Sequence, residues 1–263
     1  MAVPPTVPLL SYVSEDLTHF VGRAQPTDDD RFVLLKAILE SGTLRHGRSS
    51  AIDRIDPRAS ISQRKMYAPN IVCFCDIPMA GLGTHMQKYG HFGIAFPKRR
   101  LARYGASPVF YVARTSSIMN PETLKWDPRG DYFDEMVRRF HALMEKLEDE
   151  VMMPVSGKVV GASGEELHGV RTAHSDDPVV SVKYFFESEI LPFVTFFDEQ
   201  LGDDHPDNFY MEREWRKRGE VRFVKEDVSR LIMPRAFAER FRHEVPDWRA
   251  TPIHLAENPS ETL

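Results

Sequence analysis

The residues best placed to do chemistry cluster late in the chain, in the run YMEREWR at positions 210–216, where Glu212, Glu214 and Arg216 fall at every second position. Read as a strand, this spacing puts Tyr210, Glu212, Glu214 and Arg216 on one face and Met211, Arg213 and Trp215 on the other, because successive strand side chains alternate. Two neighbouring carboxylates repel, so keeping both ionised calls for a cation or solvent nearby, and Arg216 can supply the cation. The same pattern also suits the charged edge of a sheet. The only cysteines, Cys73 and Cys75 in IVCFCD, share a strand face in the same way. A C-x-C pair builds no disulfide framework, and His85 and His91 stand at no recognised zinc spacing from it. The thiols therefore read as buried structural groups in a reducing compartment, and no metal is expected.

The elements that must position these groups follow from periodicity. Residues 17–21 alternate and end at Gly22, giving a short first strand. Thr27, followed by Asp28, Asp29 and Asp30, caps a helix that carries Phe32, Leu35, Ile38 and Leu39 on one side and stops at Gly42. Three apolar, β-prone runs at 70–75, 92–96 and 108–112 read as sheet strands joined by short helical crossings, the second being KRRLARYG, closed by Gly105. Residues 131–151 form the strongest helix, with Phe133, Met136, Val137, Phe140, Leu143 and Met144 recurring at steps of three and four. Residues 155–178 carry four glycines and suggest hairpins, and Pro192 makes 183–200 a kinked helix or two short elements. Strands at 220–224 and 230–233, a helix at 235–243 and a loose tail after His254 complete the reading. It describes one α+β domain over residues 1–263, with a helical insertion or subdomain at 127–205.

The chain has 263 residues, 42% apolar and 28% charged, and a formal net charge of −5, so no general field draws nucleic acid or an anionic membrane. Pro4, Pro5 and Pro8 replace the apolar core of an export signal, which leads to the expectation of a cytoplasmic protein without membrane contact. Basic character is local. Arg45, Arg48, Arg54, Arg58, Arg64 and Lys65 outnumber Asp53 and Asp56 within 45–65, and Arg213, Arg216, Lys217, Arg218 and Arg222 crowd 213–222. Either segment is a solvated face or a tracker of polynucleotide phosphates. No G-x-G-x-x-G, Walker loop, G-x-S-x-G or H-E-x-x-H occurs, so dehydrogenase, P-loop, hydrolase-elbow and zincin readings have no support.

The runs LTHFVGR, ILESGTL, VCFCDIP, KYGHFGIAFPKRRLARYGASPVFYV and YMEREWRKRG followed by EDVSRLIMP resemble the AbiGi family of phage abortive-infection proteins. The resemblance covers most of residues 17–112 and 208–245, and implies an antitoxin whose partner is a nucleotidyltransferase-like toxin. The order of a histidine-bearing first strand, a helix, aromatic strands and a late E-x-E is also similar to diverged ADP-ribosyltransferases. That second resemblance implies a split β-sheet core and an effector of a phage-defence or toxin-antitoxin system that cleaves NAD and transfers ADP-ribose to RNA, DNA or protein. It would make Glu214 the carboxylate that stabilises the oxocarbenium-like transition state, and Glu212 the residue that orients or deprotonates the acceptor. His19 would hold ribose or phosphate and Arg23 the pyrophosphate, with Phe20 beside them. Tyr89 and Phe92 would stack on nicotinamide, where Gly90 and Gly93 allow close approach. Two readings thus stand side by side: an NAD-dependent transferase, and a non-enzymatic antitoxin for which the glutamate face is an interaction surface.

Overall fold

Seven short segments hydrogen-bond into one mixed sheet: β1 (Asp16–Phe20), β2 (Ile71–Cys75), β3 (Gly93–Pro97), β4 (Ser107–Pro108), β5 (Glu214–Arg218), β6 (Arg230–Pro234) and β7 (Ile253–Ala256). Their spatial order is β7-β6-β3-β1-β2-β5-β4, antiparallel throughout except for the parallel β6–β7 pair. The computed structural model describes residues 13–45, 54–151, 153–154, 159–160, 166–167, 171–172, 178–202, 205 and 208–256. The fold is α+β. By contact density the chain divides into two units, one of residues 1–52, 70–109 and 201–263, which holds the sheet, and one of residues 53–69 and 110–200.

Register decides what each face of the sheet presents, because directly paired residues point the same way. Leu17 lies opposite Phe96, His19 opposite Ile94, and Trp215 opposite Phe74, which places these six side chains on a first face. Thr18 and Glu214 both pair with Cys75, and Arg216 pairs with Cys73, which places this group on the second face. The apolar content of β2 and β3 is nearly continuous because both faces are covered. On the first face, α1 (Asp28–Ser41) and α4 (Arg235–Glu244) pack Phe32, Leu35 and Phe241 against Leu17, Phe74, Ile94 and Phe96. On the second, α2 (Gly83–Tyr89) contributes Met86, which joins Cys75, Ile77, Leu82, Ile232 and Ala256. Phe32, Phe92, Phe96 and Phe241 are fully buried, and removing each ring from water stabilises the fold by about 1.5–3 kcal/mol. A further short helix, α3 (Lys98–Arg103), seats Leu101 in the first-face core.

α1 starts and stops where its sequence signals stand. Thr27 Oγ1 accepts the Asp30 amide, three aspartates occupy the first turn, and Gly42 closes the helix at φ +59°. A Cβ on residue 42 would stand 2.6 Å from the Phe223 carbonyl, so glycine is required there by packing as well as by backbone angle. Directly after it, Thr43–Leu44 pairs with Val221–Arg222, a two-residue remnant of the strand expected at 220–224.

In the second unit, Phe110–Ala113 lies parallel to Val194–Phe197, and the helix Arg129–Val151 turns Val137 and Met144 inward. Asp134 on that helix is buried and accepts hydrogen bonds from the Ser62 amide and from the Ser60 and Ser62 hydroxyls at 2.6–2.9 Å. Pro192 yields two short elements: the helix Pro178–Phe185, continued by a π turn over Phe186–Ile190, and the strand Val194–Phe197. Within 155–178, short antiparallel pairs are described at Met153–Pro154 with Arg171–Thr172 and at Val159–Val160 with Glu166–Leu167, and the other positions from 155 to 177 lie outside the described residues.

Three expectations are corrected. The run 108–112 is not one strand: Ser107–Pro108 closes the edge of the large sheet and Phe110–Ala113 belongs to the second unit. Residues after His254 do not begin a loose tail, since Ile253–Ala256 pairs in parallel with β6, while 257–263 lie outside the described residues. Residues 210–216 are not a continuous strand. Tyr210–Glu212 is a 3-10 turn, Arg213 takes the left-handed φ of +46°, and only from Glu214 does the chain run extended. No helix among the described residues is long and apolar enough to cross a membrane.

Candidate functional site

The left-handed turn at Arg213 separates the two glutamates of the E-x-E pattern. Glu214 opens β5, is buried, and points from the second face of the sheet. Its two carboxylate oxygens accept Arg216 Nη2 and Nε, each at 2.9 Å, a bidentate pair made possible because residues i and i+2 of a strand share a face. Glu212, on the 3-10 turn, takes different partners. Its Oε1 accepts Lys88 Nζ at 2.8 Å and the Tyr89 hydroxyl, both from α2. Burial and then the Glu212 charge hold the Tyr89 phenol well above the ordinary tyrosine range, so it remains a donor. Both carboxylates are thus neutralised by the protein's own cations.

Cys73 shares this face and is accessible to solvent, with Glu214 and Arg216 packed around its thiol. Burial, followed by the negative charge of Glu214, raises its thiol far above the usual range, and Arg216 opposes that shift. Cys75 is buried and is pushed up to about 12, first by burial and then by Glu212. Neither thiol is activated as a nucleophile. His85 on α2 is lowered to about 4 by burial and by Lys88, and its Nδ1 has no hydrogen-bond partner. Among the described residues no group of three or more His, Cys, Asp and Glu side chains is arranged to hold a metal ion.

The first face carries a different feature, an open cleft of about 630 Å³ beside the end of β1. His19 lines it, with Arg23, Gln25, Leu34, Ile38 and Arg45 among its other walls. The His19 Nδ1–H donates to the Cys73 carbonyl at 2.8 Å, and its ring meets Phe74 edge-on at 5.8 Å. Burial lowers its pKa below the ordinary histidine value, so the ring is neutral and Nε2 is left as an acceptor.

The structure gathers only part of the set implied by the sequence. Phe20 and Tyr89 stack at 5.9 Å and the Arg23 guanidinium stands 4.9 Å from the Tyr89 ring centre, so these three residues meet. Gly90, at φ +96°, faces the Arg31 side chain. Phe92 is fully buried between Phe32 and Phe237 and has no surface left for a ligand ring. His19 and Glu214 both abut Cys73, the first through its carbonyl and the second through its thiol, but from opposite faces of the sheet, and they do not line a common cavity. The basic run 45–65 is not one loop: Arg45 pairs with Glu220, 46–53 lie outside the described residues, and 54–65 fold within the second unit, where Arg64 donates to Thr195 and to the Phe196 carbonyl. In the segment 213–222, Arg216 is held by Glu214 and Arg222 by Glu220. Two features had no counterpart in the sequence reading: Lys88 as the cation of Glu212, and the α1 side chains that wall the cleft. The first rests on a contact spanning 124 positions, which no local pattern encodes.

Fold and site together define an α+β protein with a cleft at the end of β1 on one face of its sheet and internally paired carboxylates on the other. A family model described as "Putative abortive phage resistance protein AbiGi, antitoxin" matches residues 55–243, and the chain belongs to this AbiGi family. No curated protein and no solved structure matches the chain.

Proposed function

We propose that the chain acts as an antitoxin of a phage-resistance system, a non-catalytic module that binds and restrains a cognate toxin protein. The family description supports this reading, and the geometry that carries it is the pairing of Glu214 with Arg216 on the face opposite His19. A transferase working on NAD would need a carboxylate free to meet the developing positive charge of the ribose, with the early histidine in the same pocket. Here the carboxylate is neutralised by a fork of two hydrogen bonds and the imidazole lies across the sheet. Glu212 ties the turn before β5 to α2, and Glu214 pairs within its own strand.

The test is co-expression with a nucleotidyltransferase-like toxin. Growth is expected to be rescued, the two chains are expected to co-purify, and Glu214→Gln is expected to keep the rescue. Incubation of the pure chain with labelled NAD and RNA, DNA or lysate is expected to transfer no label. Transfer that disappears in Glu214→Gln would overturn the antitoxin reading in favour of ADP-ribosyl transfer.

A further inference from the structure

We propose that the second unit carries a self-association face, an apolar surface through which two copies of this chain pair. Most of the large apolar side chains exposed among the described residues belong to this unit, although it is the smaller of the two. A contiguous part of them lies where the helix Arg129–Val151 meets the helix Pro178–Phe185 and its π turn. The long helix carries two apolar stripes. Phe133, Val137 and Met144 turn into the core of the unit, whereas Met136, Phe140, Leu143 and Leu147 recur at steps of four, three and four on a neighbouring stripe, the spacing of a helix–helix seam. Leu143 on that second stripe is 52% exposed. Phe140, one turn before it, meets the Phe186 ring at 4.8 Å between centroids, and Phe186 meets Phe185 edge-on at 5.9 Å. Val182 lies one turn before both on the shorter helix, and Val182, Phe185 and Phe186 are 45%, 50% and 39% exposed.

Area and charge identify what covers this surface. Two phenylalanine rings near half exposure, at about 150–250 Å² each, together with Leu143, Val182 and the open part of Phe140, make an apolar patch on the order of 400 Å². A standard interface buries about 800 Å² on each partner, of which about 65% is apolar in homodimers, so the patch supplies the greater part of the apolar area a stable dimer needs. Its surroundings are balanced in charge. Arg138 and Arg139 pair with Glu135, Arg139 also donates to both Glu122 oxygens at 2.6 and 2.8 Å, and His141 faces Glu187 at 3.3 Å. Glu145 and Lys146, which have no partner among the described residues, are one of each sign. Two copies meeting here bring no excess of like charge together, and a strongly acidic or basic partner finds no opposing excess to read. The four-three-four spacing suits a helix of the second copy laid along the seam, and a two-fold arrangement buries Phe140, Leu143 and Phe185 once from each side.

Sedimentation equilibrium of the isolated chain between about 1 and 100 μM tests the face. A species of twice the 30.2 kDa chain mass is expected. Leu143→Glu and Phe185→Glu are each expected to raise the dimer dissociation constant about a hundredfold or more, as loss of an anchor at the centre of an interface does. Far-UV circular dichroism should be unchanged in both, because each position is half exposed within its own chain. Leu124→Glu, at a more exposed apolar position between the strands Ser117–Met119 and Trp126–Pro128 and outside the seam, is expected to leave the dimer intact. A chain that stays monomeric across that range would overturn the proposal, as would a dimer that withstands both seam variants or is weakened equally by Leu124→Glu. So would a monomer that takes up the toxin one-to-one and loses it in Leu143→Glu, which would assign the face to the toxin instead. The mass measurement needs no toxin, so its failure is distinguishable from failure of the growth rescue.

Discussion

The two faces of the central sheet differ in how their candidate functional groups are engaged. On the second face both glutamates of the E-x-E pattern are engaged internally, Glu214 by Arg216 and Glu212 by Lys88 and Tyr89. On the first face, around the end of β1, the amides of 22–24 and the Nε2 of His19 have no hydrogen-bond partner among the described residues. The residues that look most like catalytic machinery, the acids, are engaged by the protein's own side chains, Glu212 across to α2 and Glu214 within β5, whereas the amides of the turn after β1 are not. Charge density in a sequence therefore points to where desolvation must be compensated.

Breaking the paired face should have the largest effect. Arg216→Ala leaves the buried Glu214 without its fork and is expected to destabilise the fold by about 3–5 kcal/mol in urea unfolding, with much of the loss recovered in Glu214→Gln/Arg216→Met, where no charge remains. A smaller effect should come from pH. His85 titrates at about 4 in the folded chain against an ordinary value of 6.5, so as pH falls below about 6.5 the unfolded chain takes up the proton first and stability declines until about pH 4. Melting temperatures between pH 7.5 and 4.5 should follow that slope, by about 2–4 °C for each kcal/mol lost at this chain length, and His85→Gln should flatten it. The smallest effect is expected on the open face: Arg23→Ala should change stability by no more than about 1 kcal/mol, because its guanidinium makes only an exposed contact with the Tyr89 ring. A large loss there would mean that the first face is as internally committed as the second.

Much of the scaffold is legible in the chain because its signals are local. Thr27 and Gly42 bracket α1, the apolar alternation of β1 and the runs of β2 and β3 are visible within five residues each, and Trp215 packs on the face opposite Glu214. What escapes is non-local or conformational. Alternation in YMEREWR is the same whether or not Arg213 adopts a left-handed turn, so the position of Glu212 could not be read from spacing. The strand at 253–256 is recognised only through its parallel partner at 230–234. That His19 and Glu214 point to opposite faces depends on two registers, Thr18 with Cys75 and Glu214 with Cys75, which no pattern within either segment contains.

The pairing of β2 with β5 also has a kinetic side. Cys75 emerges from the ribosome long before Glu214, and at about 5–20 residues per second the wait is on the order of ten seconds. During that interval one border of an apolar strand has no neighbour to satisfy its amides, so a nascent chain halted before the late segment would be expected to recruit chaperones or to aggregate.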